Sequence, residues 1–380
     1  MEQILLITGC YRSGTTLLEK LLHNHSNVCI ASQPFPSFYF HCKADFNDSI
    51  GIKRRYPLDH LFLETKYTES QFHDFLDRYI LNEERLARLF EKMKNDKLGL
   101  WTPEIIYYWH RISYGYFIDV YRQLNGIVSE IFPKRDLSIV GTKEVLCEEY
   151  IPYFLNKGCR AIIIIRDPRD MITSVSLRER DNLTGENRPV LFSLRAWRKS
   201  VAIALAYEDH PNFLWVRYED LIEAPVETLE RLTDFLQVPP FRPDTFRKGI
   251  YDQRGKLWRG NSSFDDRIGI SQKSVGEFAK VLSKRVTSFV EACCRPEMKR
   301  MKYAFSFSNT FDLSAIRSYR EPYIVRHEKF DQNYSYREDH VREEIERIDK
   351  WKGKMSDINR EDARRWFIYE RTLKKLKEAA

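Results

Sequence analysis

The chain opens with Ile4-Leu5-Leu6-Ile7-Thr8-Gly9-Cys10-Tyr11-Arg12-Ser13-Gly14-Thr15-Thr16-Leu17-Leu18. The run Ile4 to Thr8, stopped by Gly9, fits a strand buried on both faces of a parallel sheet. Leu17, Leu18, Leu21 and Leu22 then fall on one side of a helix ending near His25, and Val28-Cys29-Ile30-Ala31 reads as a second strand. Strand, glycine-bounded loop, helix and strand in that order open a doubly wound α/β fold. Gly9 to Thr16 fits GxxxxG followed by two hydroxyl residues. At a strand–helix junction the loop N–H groups and the helix N-terminus cradle an anion, and Gly14 lets the backbone come close to it. A Walker loop carries Lys where Thr15 stands, which argues against ordinary nucleoside triphosphate hydrolysis. Arg12 instead puts a guanidinium inside the loop, where it can fork onto phosphate or sulfate oxygens beside Ser13, Thr15 and Thr16.

Further along, Ala161 to Ile165 contains four consecutive isoleucines and reads as the clearest buried strand. Arg166-Asp167-Pro168-Arg169-Asp170 terminates it, with Pro168 at a helix start. Ligands of open α/β sheets sit at the carboxyl ends of strands, so Arg166 is expected at the ligand edge. On the following helix Asp167, Met171, Ser174 and Arg178 share a stripe, and Ser174 and Arg178 are placed to hold a second anion beside Arg166. Because the isoleucine strand ends in Arg166, no apolar run ends in a single metal-binding Asp, and no metal is expected. Ser138 to Thr142 reads as another strand, ending at Lys143 and Glu144. A helix follows from about Glu148 to Asn156, a long one near 191–209, a strand at Phe213–Val216, and helices at Val226–Leu236 and near 275–292.

Residues 34–135 interrupt this rhythm. They hold helices near 69–94 and 104–124 and an aromatic middle of Tyr107, Tyr108, Trp109, Tyr114, Tyr116 and Phe117. The segment reads as a helical insertion that caps the nucleotide edge on the acceptor side. From about 311 the composition shifts to dense charge of both signs. Val341, Ile345, Ile348 and Trp351, then Trp366, Ile368 and Leu373, are spaced as helical stripes. The expected organisation is one domain over 1–310 and a charged helical extension over 311–380.

Of 380 residues, 43% are hydrophobic and 31% charged, which excludes a wholly disordered chain. The net charge of +7 suits an anionic ligand without forming a nucleic-acid stripe. Seven cysteines, with no CxxC pair, exclude a disulfide framework and a structural zinc site. No run approaches a membrane span, and Met1 to Gly9 lack the basic flank of a signal peptide, so a reduced, cytoplasmic setting is expected. On the residues alone a P-loop nucleotide kinase-like enzyme and a non-catalytic anion-binding protein stand as alternatives.

Tyr11-Arg12-Ser13-Gly14-Thr15-Thr16-Leu17, together with Arg166 and a Ser eight residues later, resembles the sulfotransferases that use 3′-phosphoadenosine 5′-phosphosulfate (PAPS). The resemblance spans about residues 1–300 and implies their three-layer P-loop-like fold. It implies that Arg12, Ser13, Gly14, Thr15 and Thr16 hold the 5′-phosphosulfate, and Arg166, Ser174 and Arg178 the 3′-phosphate. In Val216-Arg217-Tyr218-Glu219-Asp220-Leu221, Tyr218 matches the residue on the adenosine side. Lys273-Ser274-Val275-Gly276-Glu277-Phe278 resembles a late loop, in which Lys273, with the Trp258–Ser263 segment, closes on the cofactor. The arginine form of the first motif looks like bacterial and tyrosylprotein-type members, in which a Lys near the end of the next sheet strand assists catalysis; Lys143 matches it. Many members carry a Glu just after the second strand as base. The segment Ala31-Ser32-Gln33-Pro34-Phe35-Pro36 has no carboxylate, and His41 is favoured for its pKa range, with Asp45, Glu144, His60 and His110 as other options. The implied reaction moves the sulfuryl group to a hydroxyl or nitrogen of a small-molecule acceptor, a natural product or a sugar. No metal, nucleic acid or membrane partner is expected, and the oligomeric state is open. The lack of a signal or anchor disfavours a tyrosylprotein role.

Overall fold

The computed structural model of the chain describes residues 2–52, 67–95, 101–176, 189–242, 245–246, 249–259, 270, 274–307, 313–321 and 338–379. In chain order the elements are β1 (Gln3–Thr8), α1 (Thr15–His23), β2 (Val28–Ser32), α2 (Pro36–Ser49), α3 (Glu69–Arg78), β3 (Ile80–Leu81), α4 (Glu83–Asn95), β4 (Gly115–Tyr116), α5 (Phe117–Ile131), β5 (Ile139–Lys143), α6 (Ile151–Asn156), β6 (Arg160–Ile165), α7 (Pro168–Ser176), α8 (Val190–Tyr207), β7 (Phe213–Arg217), α9 (Tyr218–Glu223), α10 (Pro225–Leu236), α11 (Phe278–Val281), α12 (Lys284–Cys293), α13 (Arg295–Arg300), α14 (Ser314–Arg317), α15 (Glu338–Lys352), α16 (Arg360–Phe367) and α17 (Glu370–Glu378).

Five strands form a parallel sheet in the order β2-β5-β1-β6-β7. Helices cover both faces, so the chain has the three-layer P-loop-like α/β fold. The isoleucine run of β6 shows why. Ile162 and Ile164 pack on one side with the leucines of α1 and with Leu221, Leu232 and Leu236 of α9 and α10. Ile163 and Ile165 pack on the other with α5 to α8. A strand alternates its side chains between faces, so an unbroken apolar run is stable only where both faces are covered.

The insertion departs from two long helices. A capping box, with Gln71 N–H donating to the Thr68 hydroxyl and Thr68 N–H to the Gln71 side chain, starts α3. The strand pair β3–β4 then separates α3 from α4 and precedes α5, with Phe117 N–H donating to Tyr79 O. Pro103–Arg111 is a 3-10 helix, so the second expected helix begins only at Phe117. Phe38, Tyr39, Phe117, Tyr121, Tyr150 and Phe154 stack into a buried aromatic layer that seats the insertion on the sheet. The helix expected near 275–292 is broken into α11 and α12, the second started by Ser283, whose hydroxyl accepts from Val286 N–H.

The C-terminal stripes are largely buried, with Val341 and Ile345 half-buried at the edge. Ile348, Trp351, Trp366, Ile368 and Leu373 belong to the same apolar cluster as α8 and the sheet. An ionic network also joins α15 to α8. The Glu344 carboxylate accepts from Arg195 Nε at 3.0 Å and from Arg198 Nη1 at 2.5 Å, while Arg347 pairs with Glu297 of α13. Burial alone would raise the Glu344 pKa, but Arg198 and Arg195 hold it below the ordinary carboxylate range. Its contribution to stability is therefore present above the ordinary glutamate pKa and lost as pH falls through the depressed one. Removing one partner of a buried ion pair costs about 3–5 kcal/mol. Glu344→Ala is accordingly expected to lower Tm by several degrees in thermal denaturation at neutral pH, and an unchanged Tm would contradict this account of the docking.

Candidate active site

The Gly9–Thr16 loop joins β1 to α1 at the carboxyl edge of the sheet, and its backbone explains its glycines. Gly14 has φ of +99°, and the Tyr218 ring fills the place a Cβ would take. Gly9 has φ of +154°, and a Cβ there would lie 2.6 Å from the Ile164 carbonyl oxygen. Both positions therefore exclude larger residues. Arg12 itself adopts φ of +64°, uncommon outside glycine, which turns it out of the loop. Ser13 is buried and its hydroxyl donates to Cys10 O; Thr15 is buried and Thr16 half-buried.

The two motifs read from the sequence meet in space. Arg12 Nε donates to the Ser174 hydroxyl at 2.8 Å, across 162 residues. Arg166 Nη1 donates to Arg12 O at 3.1 Å and Nη2 to Ser274 O. The Arg166 guanidinium stacks over Tyr218 at 4.7 Å, so Tyr218 touches both the Gly9–Thr16 loop and the arginine. Arg166 Nε is buried and donates to nothing among the described residues. That idle donor, the cradle at Gly14 and the adjacent Arg12 fit an anionic nucleotide that brings its own acceptors.

Supporting contacts were not legible as motifs. Trp197 Nε1 of α8 donates to Arg166 O at 2.7 Å. Asp167 caps α7 by accepting from Arg169 N–H at 2.9 Å. Asp170 accepts from Gly276 N–H at 2.8 Å and Phe278 N–H at 2.9 Å, which pins the late loop above Arg166. Arg178, Lys273, His60 and the 260–263 part of the Trp258 segment lie outside the described residues.

Lys143 ends β5 and is 2% exposed. Its Nζ donates to Gln33 Oε1 at 2.9 Å, lies 3.8 Å from Glu19 Oε2 and faces the Trp101 ring at 6.0 Å. Burial pushes its pKa down, against the pull of Glu19 and Glu144. Trp101 is 44% exposed, so this side of Lys143 is the one nearest solvent. Glu144 is buried, and its Oε1 accepts from Phe35 N–H at 2.9 Å. A carboxylate from the end of β5 thus stands against the Ala31–Pro36 segment that has none of its own. Burial pushes its pKa up, Phe35 N–H and Lys143 pull it down, and Glu19 pushes it up.

His41 is not brought to this group. It sits on α2, where burial lowers its pKa; the charges around it are Asp45 on α2 and Lys92, Arg88 and Arg85 on α4. None of its contacts among the described residues reaches the loop, Lys143 or Arg166. The pKa argument that favoured His41 is blind to which side of α2 it occupies. All seven cysteines are buried, and none forms a disulfide. Among the described residues no helix is long and apolar enough to cross a membrane.

Residues 145–302 match the family model described as Sulfotransferase domain. Sulfotransferase 6B1 of Danio rerio is 25% identical over 149 residues, which are 35% of this chain and 45% of that protein. The chain thus spans less than half the length of that relative. Among solved structures, the sulfotransferase domain of the Synechococcus PCC 7002 olefin synthase is 18% identical with a TM-score of 0.44, covering 75% of this chain and 90% of that one. The sulfotransferase domain from the curacin biosynthetic pathway is 17% identical with a TM-score of 0.39, covering 83% and 96%. A mouse sulfotransferase complexed with PAP is 15% identical with a TM-score of 0.37, covering 77% and 84%.

Proposed function

Because residues 145–302 match the family model described as Sulfotransferase domain, we propose that this chain transfers the sulfuryl group of PAPS to a hydroxyl or nitrogen of a small-molecule acceptor. The observation that carries the reading is the junction of Arg12, Ser174, Arg166 and Tyr218 at one sheet edge. Two guanidinium groups at one sheet edge support a ligand with more than one anionic group, such as a nucleotide with both a 5′- and a 3′-phosphate. PAPS, when bound, supplies the sulfuryl group.

The chain's own groups then divide the work. Arg12, the first N–H groups of α1 and the hydroxyls of Thr15 and Thr16 hold the 5′ end. Arg166, Ser174 and, from the sequence, Arg178 hold the 3′-phosphate. Tyr218 lines the adenosine side; Lys273, from the sequence resemblance alone, is assigned to close over it. Lys143 stabilises charge that gathers on the leaving phosphate. The acceptor enters beside Trp101, and its proton passes to Glu144, whose pKa burial raises toward the neutral range. The exposed Trp101 ring beside Lys143 supports an acceptor of natural-product or sugar type, on whose face such a ring can stack.

The test is incubation of the purified protein with PAPS and a panel of alcohols, amines and sugars, read by mass spectrometry. A sulfated product that forms without added magnesium is expected. ATP turnover with magnesium and no sulfated product would instead support the kinase-like alternative.

A further inference from the structure

Lys143 is buried on every side, and the groups around it account for its charge. An ammonium taken out of water loses its proton unless a counter-charge stands within about 4–6 Å. The charged groups facing Lys143 are Glu19 and Lys20 of α1 and Glu144 beside it on the chain; Gln33 supplies a neutral acceptor. Of the two carboxylates, Glu144 is turned to Phe35 N–H. Glu19 is completely buried and differs in how its two oxygens are used. Oε1 accepts from Lys20 Nζ at 2.8 Å and from Gln253 Nε2. Oε2 accepts no hydrogen bond among the described residues and lies 3.8 Å from Lys143 Nζ.

Gln253 comes from a turn closed by the Tyr251–Leu257 bridge. In the same turn Arg254 pairs with Glu104 at 2.6 and 2.8 Å, close to Trp101 along the chain. Glu19 is also three and four residues after Thr16 and Thr15, on the turn of α1 that follows the phosphate loop. A carboxylate outside every motif therefore ties the lysine to the helix that carries the loop, and is itself clamped from the acceptor side.

We propose that Glu19 is a positioning residue for the transfer reaction: its Oε2 keeps Lys143 charged and aimed at the loop while Lys20 and Gln253 fix its Oε1. The proposal rests on the sulfotransferase reading for the role of Lys143, though the Glu19–Lys143 pair itself does not. Glu19→Gln keeps the size and the Lys20 and Gln253 contacts but removes the counter-charge. Lys143 then loses its proton at lower pH. In PAPS-dependent transfer, the alkaline fall of kcat is expected to move down by about one to two pH units, with the KM for PAPS changed little. Glu19→Asp is expected to return the limb part of the way.

A loss of kcat with an unmoved pH limb, or a rise in KM alone, would overturn the proposal, because a merely structural defect behaves that way. A second measurement is independent of turnover. In lysine-labelled protein, with the Lys143 resonance assigned by Lys143→Arg, NMR should show that resonance titrating at lower pH in Glu19→Gln. An unmoved titration overturns the Glu19 proposal. A shifted titration in a protein that transfers no sulfate supports the pair and overturns the functional reading alone.

Discussion

Arg166→Ala is expected to weaken binding of adenosine 3′,5′-bisphosphate (PAP), the desulfated product, by about 100-fold while leaving AMP binding nearly unchanged. Charge-assisted hydrogen bonds contribute about 1.5–3 kcal/mol each, and every 1.4 kcal/mol is about tenfold in affinity. The guanidinium supplies the cation at the end of β6, and its Nε has no acceptor among the described residues. Because Arg166 also holds Arg12 O and Ser274 O, the alanine variant risks loosening the loop. Arg166→Lys separates the effects: it keeps the charge and loses the fork, so an intermediate loss confined to PAP is expected. Equal weakening of PAP and AMP would mean that Arg166 only braces the loop.

Lys143→Ala should reduce kcat by about 100- to 1,000-fold and change the KM for PAPS by little. Removing one preorganised donor aimed at charge that develops in the transition state costs about that much, whereas a group that binds ground and transition states alike shows in KM. The environment of Lys143 makes the split sharp. The side chain is 2% exposed, so water does not readily replace it. Steady-state kinetics at a pH where the wild type is fully active measure both constants. A raised KM with unchanged kcat would assign Lys143 to binding.

Both residues were visible in the sequence because their settings are local. Ile4 to Leu18 states a strand, a loop and a helix within a few turns of chain, and the run Ile162–Ile165 states a strand whose next residue is the ligand-edge arginine. Pro168 begins α7 as its missing N–H suggests. What chain order conceals is contact between distant segments. The Ser174 hydroxyl accepts from Arg12, a contact that joins the two motifs and that neither motif announces. Glu19 reads as an ordinary polar flank of a leucine helix, and only folding sets it against Lys143. His41 stands off the face of α2 on which Phe38, Tyr39, Cys42 and Phe46 are buried, and that stripe marks the packed side of the helix without saying what its flank meets. The C-terminal stripes announced buried helix faces but not their partner. Arg195 and Arg198, in a long and mostly apolar helix, are the clue that a charged element docks there.

The titration of wild-type protein with PAP and with ADP, in buffer containing a metal chelator, bears most directly on the claim that this edge holds a nucleotide with phosphates at both ends of the ribose. PAP is expected to bind at least about 10-fold more tightly than ADP, the share of one charge-assisted hydrogen bond to the 3′-phosphate. Equal affinities, or binding of ADP or ATP only when magnesium is restored, would contradict it.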